Sequence, residues 1–480
     1  MKTEALNPIF LNGEWRTTGA NMPVYAPFDG EFLGHVCLAG PQEMEEAIEM
    51  AAQAEKSMRS WPAFKRSEFL RGVADALLLQ LEEASVLLSK EAGKPILDAQ
   101  TEVERAAETF RIAAEECLRL NGEIMPMDRT ERGQGFIGYI RPFAIGPVAG
   151  ISPFNFPLNL AVHKLAPAIA AGCPILLKPA SSTPLSTLNL AKLFKQVGGL
   201  PTGAVSILPC NREIGEILVA DSRIRLLSFT GSDSVGWAMK KRAVNKKVVL
   251  ELGGNAAVIV AETANWEAHI ELLAKASFAY SGQICIHPQR FYIWEGHFEA
   301  FSNAILKHSR ALRLGAPQDP TTQISCMIDE ANARRVDAWI DEAIESGAKV
   351  ILRGKRDGSL LPPCILSHVP DGAKVKEEEV FGPVIVLEPY SNFKEAIERV
   401  NNSRFGLQAS IYSEQHHEID YAYQNLHVGG LIVNAPPTLR FDHMPYGGVK
   451  DSGLGREGVR YAMADMLEWK IMVKKENEWN

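Results

Sequence analysis

Apolar residues recur at three- and four-residue spacing through the first quarter of this chain. "PQEMEEAIEMAAQAEKSMRSW" and "RSEFLRGVADALLLQLEEASVLLSKEAGK" both show it, which predicts helices from about residue 40 to 120. From about 146 to 260 the pattern changes. The short apolar runs "GPVAGIS", "PILLKP", "AVSIL", "RLLSF", "KVVLEL" and "AAVIV" alternate with helical stretches at 158–171, 184–197 and 233–241. That rhythm predicts βαβ units and a parallel sheet buried on both faces. A second α/β region follows, with helices near 265–279, 296–309 and 329–347 and strands near 290–295, 349–353 and 428–434. Two β-branched segments stand apart, "GFIGYIRPF" and "LEWKIMVKK". Each reads as an edge strand that needs a partner, for which a second subunit is one source.

Composition narrows the class. At 480 residues the chain is too long for one ordinary core, so two or three structural units are expected. A 46% hydrophobic and 22% charged chain is typical of a soluble globular protein. A net charge of −8 argues against nucleic acid as a partner. The seven cysteines (Cys37, Cys117, Cys173, Cys210, Cys285, Cys326 and Cys364) are scattered and form no CxxC pair, so neither a disulfide framework nor a metal site is expected. The first residues lack the apolar core of a signal peptide, and the longest uncharged run, 142–163, is broken by three internal prolines. The expectation is a cytoplasmic protein with no membrane span.

Five places could carry chemistry. Asn155, in "GISPFNFP", sits at the carboxyl end of a parallel strand, where open α/β sheets bind ligands; it could stabilise an oxyanion or merely cap the next helix. Lys178 ends a buried strand in "PILLKP", as a ribose or phosphate ligand or as a lysine snorkelling to the rim. Gly231 and Ser232 lie between a strand and a helix start, which suits a pyrophosphate but is also an ordinary cap. Glu251 lies in an apolar run before a double glycine. A carboxyl there has a raised pKa and can act as a general base, or is structural and hydrogen-bonded. Cys285, in "YSGQICIHPQR", is a nucleophile or a small core residue.

The segments "FNFP", "LLKP", "FTGS", "ELGG", "GQIC", "EEVFGP" and "MPYGGVKDSGLGREG" occur in one order. Together they resemble the aldehyde dehydrogenase superfamily of NAD(P)-dependent enzymes, over nearly the whole chain. The resemblance implies that Cys285 attacks the aldehyde as a thiolate, that Asn155 and the Cys285 N–H form an oxyanion hole, and that Glu251 activates the water that hydrolyses the thioester. It implies cofactor contacts from Ile151, Lys178, Ser181, Gly231, Ser232, Gly253, Glu379 and Phe381. Ser181 departs from the glutamate common in NAD-preferring members, so NADP is expected to be tolerated and NAD not excluded.

By the same resemblance the fold is α/β: a Rossmann-type parallel-sheet cofactor domain (1–121 and 143–253), a catalytic α/β domain (254–464) and a small β oligomerisation arm (122–142 and 465–480). A homodimer or homotetramer is implied. Arg105, His163, Arg440 and His443 align with the substrate tunnel, which implies a short polar or anionic aldehyde of the kind taken by the non-phosphorylating glyceraldehyde-3-phosphate and succinate-semialdehyde branches. Arg105 also reads as an ordinary solvated arginine, opposite the stripe of Val103, Ala106, Ala107 and Phe110. A coenzyme-A-acylating dehydrogenase and a non-catalytic crystallin-like homologue are the rival readings. Glu251 argues against the first, and the presence of Asn155, Glu251 and Cys285 against the second.

Overall fold

The computed structural model describes residues 6–243 and 245–476. Residues 1–5 and 244, expected in the cofactor-binding segment, and 477–480, expected in the arm, lie outside them.

Five parallel strands form the middle of the first sheet: β1 (Val148–Ile151), β2 (Ile175–Lys178), β3 (Val205–Ile207), β4 (Leu226–Thr230) and β5 (Lys247–Glu251). Their spatial order is β5-β4-β1-β2-β3. Successive residues point to opposite faces. Val148, Ile175 and Leu177 enter one core with Leu165 and Leu190, while Ala149, Leu176 and Leu227 enter another with Ile48 and Leu218. Two covered faces are why these runs are apolar without a break. The chain moves outward from β1 to β3, then returns to place β4 beside β1. The strand order therefore reverses between β1 and β4, and a crevice opens beyond their carboxyl ends.

Three helices matter for the site: α1 (Asn159–Ala171), α2 (Pro184–Val197) and α3 (Asp233–Arg242). Every residue of α1 is buried, as expected of a helix apolar nearly all round. In α3, Asp233 in the first turn and Lys240, Lys241 and Arg242 in the last complement the helix dipole.

The second sheet holds β6 (Ala256–Val260), β7 (Pro288–Trp294), β8 (Cys364–Ser367), β9 (Val384–Tyr390), β10 (Gln408–Tyr412) and β11 (Gly430–Val433), all parallel, in the order β8-β9-β7-β6-β10-β11. Here the structure corrects the sequence reading. The run "AAVIV" is β6 and belongs to this sheet, not the first. Strands β8, β9 and β10 and the helices Phe393–Asn401 and His416–Asn425 had not been anticipated. In β10 the polar Gln408 and Ser410 are buried, which hides the apolar signal.

Chain 453–465, of which 453–464 was assigned to the second unit on sequence and 465 to the arm, lies on the first. Gly453–Leu454 pairs antiparallel with β5, and Val459 and Met463 of the helix Val459–Asp465 join the first core. The two isolated β segments pair with each other within one chain. Phe136–Ala144 and Leu467–Lys475 are antiparallel over their full length, from Leu467 opposite Ala144 to Lys475 opposite Phe136. Glu123–Pro126 covers the other side of Phe136–Ala144. Among the described residues Leu467–Lys475 is a nine-residue edge strand of this sheet, and its Trp469 and Met472 are 63% and 58% exposed. Among the described residues no helix is long and apolar enough to cross a membrane.

Candidate active site

The first sheet points the carboxyl ends of its strands at the second, which answers with the amino ends of its own. Asn155, Lys178, Gly231 and Glu251 end or follow β1, β2, β4 and β5. Gly253, Cys285, Glu379 and Phe381 precede β6, β7 and β9. The sequence candidates for catalysis thus meet across one crevice. A cavity of about 710 Å³ between Trp15, Leu33, Leu87 and Leu188 holds none of these groups, so the chemistry of its lining and not size locates the site.

Cys285 is partly exposed, and its Sγ lies 2.9 Å from the Tyr446 hydroxyl. Burial pushes its thiol up to about 12, while Tyr446 and Arg440 pull it back. The turn before it is unusual. Tyr280, Ser281 and Gly282 have φ of 46°, 54° and 70°, three successive left-handed residues. Such a conformation costs a non-glycine residue roughly 1–2 kcal/mol, so other contacts must hold it. Tyr280 donates to the Ala92 carbonyl (2.9 Å) and Ser281 to the Ser325 carbonyl (2.7 Å). The Gln283 side-chain oxygen accepts from the Ile328 N–H (2.8 Å). A Cβ on Gly282 would lie 2.1 Å from the Gly382 carbonyl.

Asn155 is buried, and its amide nitrogen donates to the Gln283 carbonyl at 3.0 Å, two residues before Cys285. One of its two N–H protons stays available for a substrate oxygen. It does not cap α1. That role falls to Glu102, whose Oε1 accepts from the N–H groups of Leu158 (3.0 Å) and Asn159 (3.1 Å). The other Glu102 oxygen binds Lys94, which also donates to the Asn155 carbonyl at 2.7 Å. The Lys94 ammonium lies 3.8 Å from the Phe156 ring centre and 4.4 Å from that of Tyr280. Lys94 and Glu102 are buried, and together they join the loops that carry Asn155 and Cys285. Sequence reading missed both; a lysine before proline at a helix start carries no such signal.

Glu251 is buried, and neither carboxyl oxygen has a hydrogen-bond partner. Burial, and then the nearby Glu457 charge, raise its pKa well above the carboxylate norm. Glu457 behaves oppositely. Burial works against its charge, but Lys164 and Arg440 outweigh that and hold it down at about 2. It accepts from Lys164 (3.2 Å), Thr230 (3.2 Å) and Arg440 (3.0 Å). Lys164 also donates to Ser228 and Thr230 of β4. Lys164 had a visible signal, a charge inside an apolar helix; Glu457 and Tyr446 had none.

The substrate candidates divide. Arg105 is not a free surface arginine: it forms a two-point bond to Asp442 at 2.8 and 3.0 Å. Asp442 also accepts from His163 (2.8 Å) and Asn159 (3.2 Å), and His163 and Arg105 together keep it ionised well below the usual carboxylate range against the effect of burial. Burial, and then Arg440, lower the pKa of His163, so it is neutral. Arg440 lies over the Tyr446 ring at 3.8 Å, and its Nε has no partner. His443 is exposed beside Phe441, and among the described residues no hydrogen bond ties it to this group.

The crevice between β1 and β4 fits a dinucleotide. Lys178 makes only a 3.4 Å bond to the Pro179 carbonyl, and Ser181 and Ser232 are exposed. The Ser232 side chain makes no cap bond at the start of α3, whose first N–H groups face the crevice end. Gly231 differs from expectation: its N–H is taken by the Glu251 carbonyl at 3.1 Å, so it offers no donor to a phosphate. Glu379 accepts from the Gly254 N–H at 2.9 Å, and burial raises it to about 7. A Cβ on Gly253 would meet the Glu379 carboxylate at 2.4 Å. Phe381 packs edge-on against Phe154, with ring centres 5.8 Å apart.

Residues 15–472 match the model of the aldehyde dehydrogenase family. A 3-sulfolactaldehyde dehydrogenase of Priestia aryabhattai is 40% identical over 466 residues, covering 97% of each chain. The crystal structure of aldehyde dehydrogenase 21 from Physcomitrella patens, in complex with the reaction product succinate, superposes with a TM-score of 0.98 at 41% identity over the whole of both chains. A glyceraldehyde-3-phosphate dehydrogenase of Methanocaldococcus jannaschii, complexed with NADP, has a TM-score of 0.92 at 34% identity, covering 96% of this chain and all of its own. The chain therefore belongs to the aldehyde dehydrogenase family, enzymes that oxidise aldehydes to acids with NAD or NADP.

Proposed function

We propose that Cys285 is the nucleophile, Asn155 an oxyanion donor and Glu251 the hydrolytic base, and that the substrate is a short aldehyde bearing a negative charge. One observation carries the substrate class. Three buried or half-buried cations, Arg105, Arg440 and Lys164, pair with two carboxylates, Asp442 and Glu457, in a cluster that reaches Cys285 through Arg440 and Tyr446. The lowered pKa of His163 and the raised pKa of Glu251 both favour the neutral form of each group. One anionic group balances the cluster, and the unpartnered Arg440 Nε is a ready donor to it. The relatives named for sulfolactaldehyde and glyceraldehyde 3-phosphate, and the one bound to succinate, agree with an anionic substrate.

The cofactor, when bound, supplies the acceptor for the aldehyde's hydride; Ile151, Lys178, Ser181, Ser232, the first turn of α3, Gly253, Glu379 and Phe381 would hold it. The Cys285 thiolate adds to the carbonyl carbon, and the Asn155 amide takes charge developing on oxygen. After oxidation to the thioester, Glu251 in its ionised form removes a proton from water as it attacks. Exposed Ser181 presents no carboxylate to a 2′-phosphate and Lys178 is cationic, so the enzyme accepts NADP as well as NAD. The open edge of Leu467–Lys475 supports an oligomer, and seven free cysteines suit a reducing cytoplasm. Sedimentation of a chain ending before Met466 tests the oligomer; a soluble, active monomer contradicts it.

The deciding experiment compares kcat/KM for 4-oxobutanoate and for neutral butanal in wild type, Arg440→Ala and Arg105→Ala. Loss of a desolvated charge contact costs the anion about 2 kcal/mol, roughly thirtyfold, and leaves the neutral aldehyde nearly unchanged. Equal losses for both, or a wild-type preference for long aliphatic aldehydes, refute the anionic substrate.

A further inference from the structure

Tyr446 touches the reacting sulfur, yet nothing in the reading so far uses it. Its ring is buried, and its backbone is fixed by exchange with Glu457: Tyr446 N–H to the Glu457 carbonyl at 3.0 Å, and Glu457 N–H back to the Tyr446 carbonyl at 2.6 Å. Among the described residues the hydroxyl has one hydrogen-bond partner, Cys285 Sγ at 2.9 Å. Arg440 covers the ring face at 3.8 Å. A phenol O–H is a far better donor than a thiol S–H, and a thiolate is the better acceptor. A cation over the ring draws electron density from it, which sharpens the O–H as a donor.

We propose that Tyr446 is a further catalytic residue: its hydroxyl donates to Cys285 Sγ and stabilises the thiolate that attacks the aldehyde, with Arg440 strengthening that donation. The inference rests on Cys285 being the nucleophile. Charged and titratable groups facing the sulfur are Tyr446, Arg440, Glu379 and Glu251; the first two favour the thiolate, and the two carboxyls oppose it when ionised. Burial keeps Tyr446 protonated well beyond the ordinary range of a phenol, so it can donate throughout. The thiol proton leaves to water as the thiolate forms, and Tyr446 keeps its own. The sulfur lone pair forms the S–C bond as the carbonyl π pair moves to oxygen. The step needs no other reactant. Once Sγ is bonded to carbon the hydroxyl loses its partner and is free to turn to the substrate.

The test is Tyr446→Phe in the intact enzyme, which keeps the ring beneath Arg440 and removes only the hydroxyl. Iodoacetamide alkylation of the Cys285 peptide is followed against pH by mass spectrometry, with the Cys173 and Cys326 peptides as internal controls. The expected result is a Cys285 titration displaced upward by about one pH unit, with alkylation near neutrality roughly tenfold slower. First-turnover acylation slows by a similar factor, while hydrolysis of the preformed thioester is unchanged. An unaltered Cys285 profile overturns the proposal. So does faster alkylation of Cys173 and Cys326, which marks a loosened fold. A wild-type enzyme in which neither iodoacetamide nor substrate modifies Cys285 overturns the nucleophile assignment as well, and so is told apart from failure of the tyrosine alone.

Discussion

The first sheet meets the crevice with the carboxyl ends of its strands, and the second with the amino ends of its own. The two edges offer different chemistry. Beyond the carboxyl ends, helices begin, and the start of α3 brings N–H groups and a partial positive charge suited to a phosphate. Before the amino ends helices finish instead of starting, as Ile270–Phe278 does ahead of the turn to Cys285, so that edge presents the negative end of the dipole. There the chain enters each strand through close turns: the double glycine before β6, the left-handed run before β7, and Phe381 at φ 48° before β9. That edge places single side chains, Cys285 and Glu379, at fixed points. Lys178, Ser181 and Ser232, proposed to bind cofactor, thus lie on one edge and the proposed nucleophile on the other, with Glu379 and Phe381 completing the proposed cofactor site from the second. Asn155 and Glu251, after β1 and at the end of β5, are the proposed catalytic groups the first sheet holds out toward the second.

Removing a group from each edge tests that division, beginning with the largest effect. Cys285→Ala is expected to abolish turnover in a progress-curve assay while the cofactor-binding affinity, read by fluorescence titration, stays within about twofold. A lost cofactor affinity would break the separation of roles. Glu251→Gln is expected to slow thioester hydrolysis by about 10³-fold, so that a Cys285 acyl adduct accumulates by intact-protein mass spectrometry. In the wild type that hydrolysis should rise with pH through the raised Glu251 pKa, because only the ionised carboxylate accepts the proton of water. The linked stability effect has the opposite sign. A buried carboxyl with a raised folded pKa stabilises the fold below its unfolded value and loses that contribution as pH climbs through the folded value. Glu251→Gln should therefore raise Tm relative to wild type at alkaline pH and not at pH 4. Asn155→Ala is expected to lower kcat about 10²-fold with little change in cofactor binding.

Lys94→Met probes what holds the edges together. It leaves Glu102 buried without its cation, expected to cost roughly 3–5 kcal/mol in urea unfolding. Adding Glu102→Leu should not recover kcat, since the bond to the Asn155 carbonyl is still missing. Smallest is Ser181→Glu, on the binding edge alone. It should shift the NADP to NAD ratio of kcat/KM by about tenfold toward NAD and leave thioester hydrolysis untouched.

Much of this was readable in the chain because strand ends carry their own marks. Asn155, Lys178 and Glu251 are polar residues at the ends of apolar runs, and the order of short segments identified Cys285. What stayed hidden depends on pairs far apart in sequence. Arg105 looked solvated because its partner Asp442 is 337 residues away. The cap on α1 looked local to Asn155, but its carboxylate comes from Glu102, on a helix 56 residues earlier. Tyr446 sits in a glycine-rich segment whose path past Cys285 is set by Glu457, itself unremarkable in sequence. The β segments seemed to need a second subunit because a pairing between residues 136–144 and 467–475 leaves no local trace.

The left-handed run at Tyr280, Ser281 and Gly282 has a consequence for when the enzyme becomes an enzyme. No short peptide holds three such residues in a row unaided. Their anchors are the carbonyls of Ala92 and Ser325, contributed by stretches on both sides of the turn in sequence. During synthesis the carbonyl of Ala92 is present long before the turn is made, but Ser325 follows Ser281 by 44 residues. The reactive thiol is therefore placed only once most of the chain has been delivered and packed. A nascent or half-folded chain carries Cys285 without its geometry, so the reactivity proposed for this thiol would serve as a chemical timestamp for completed folding.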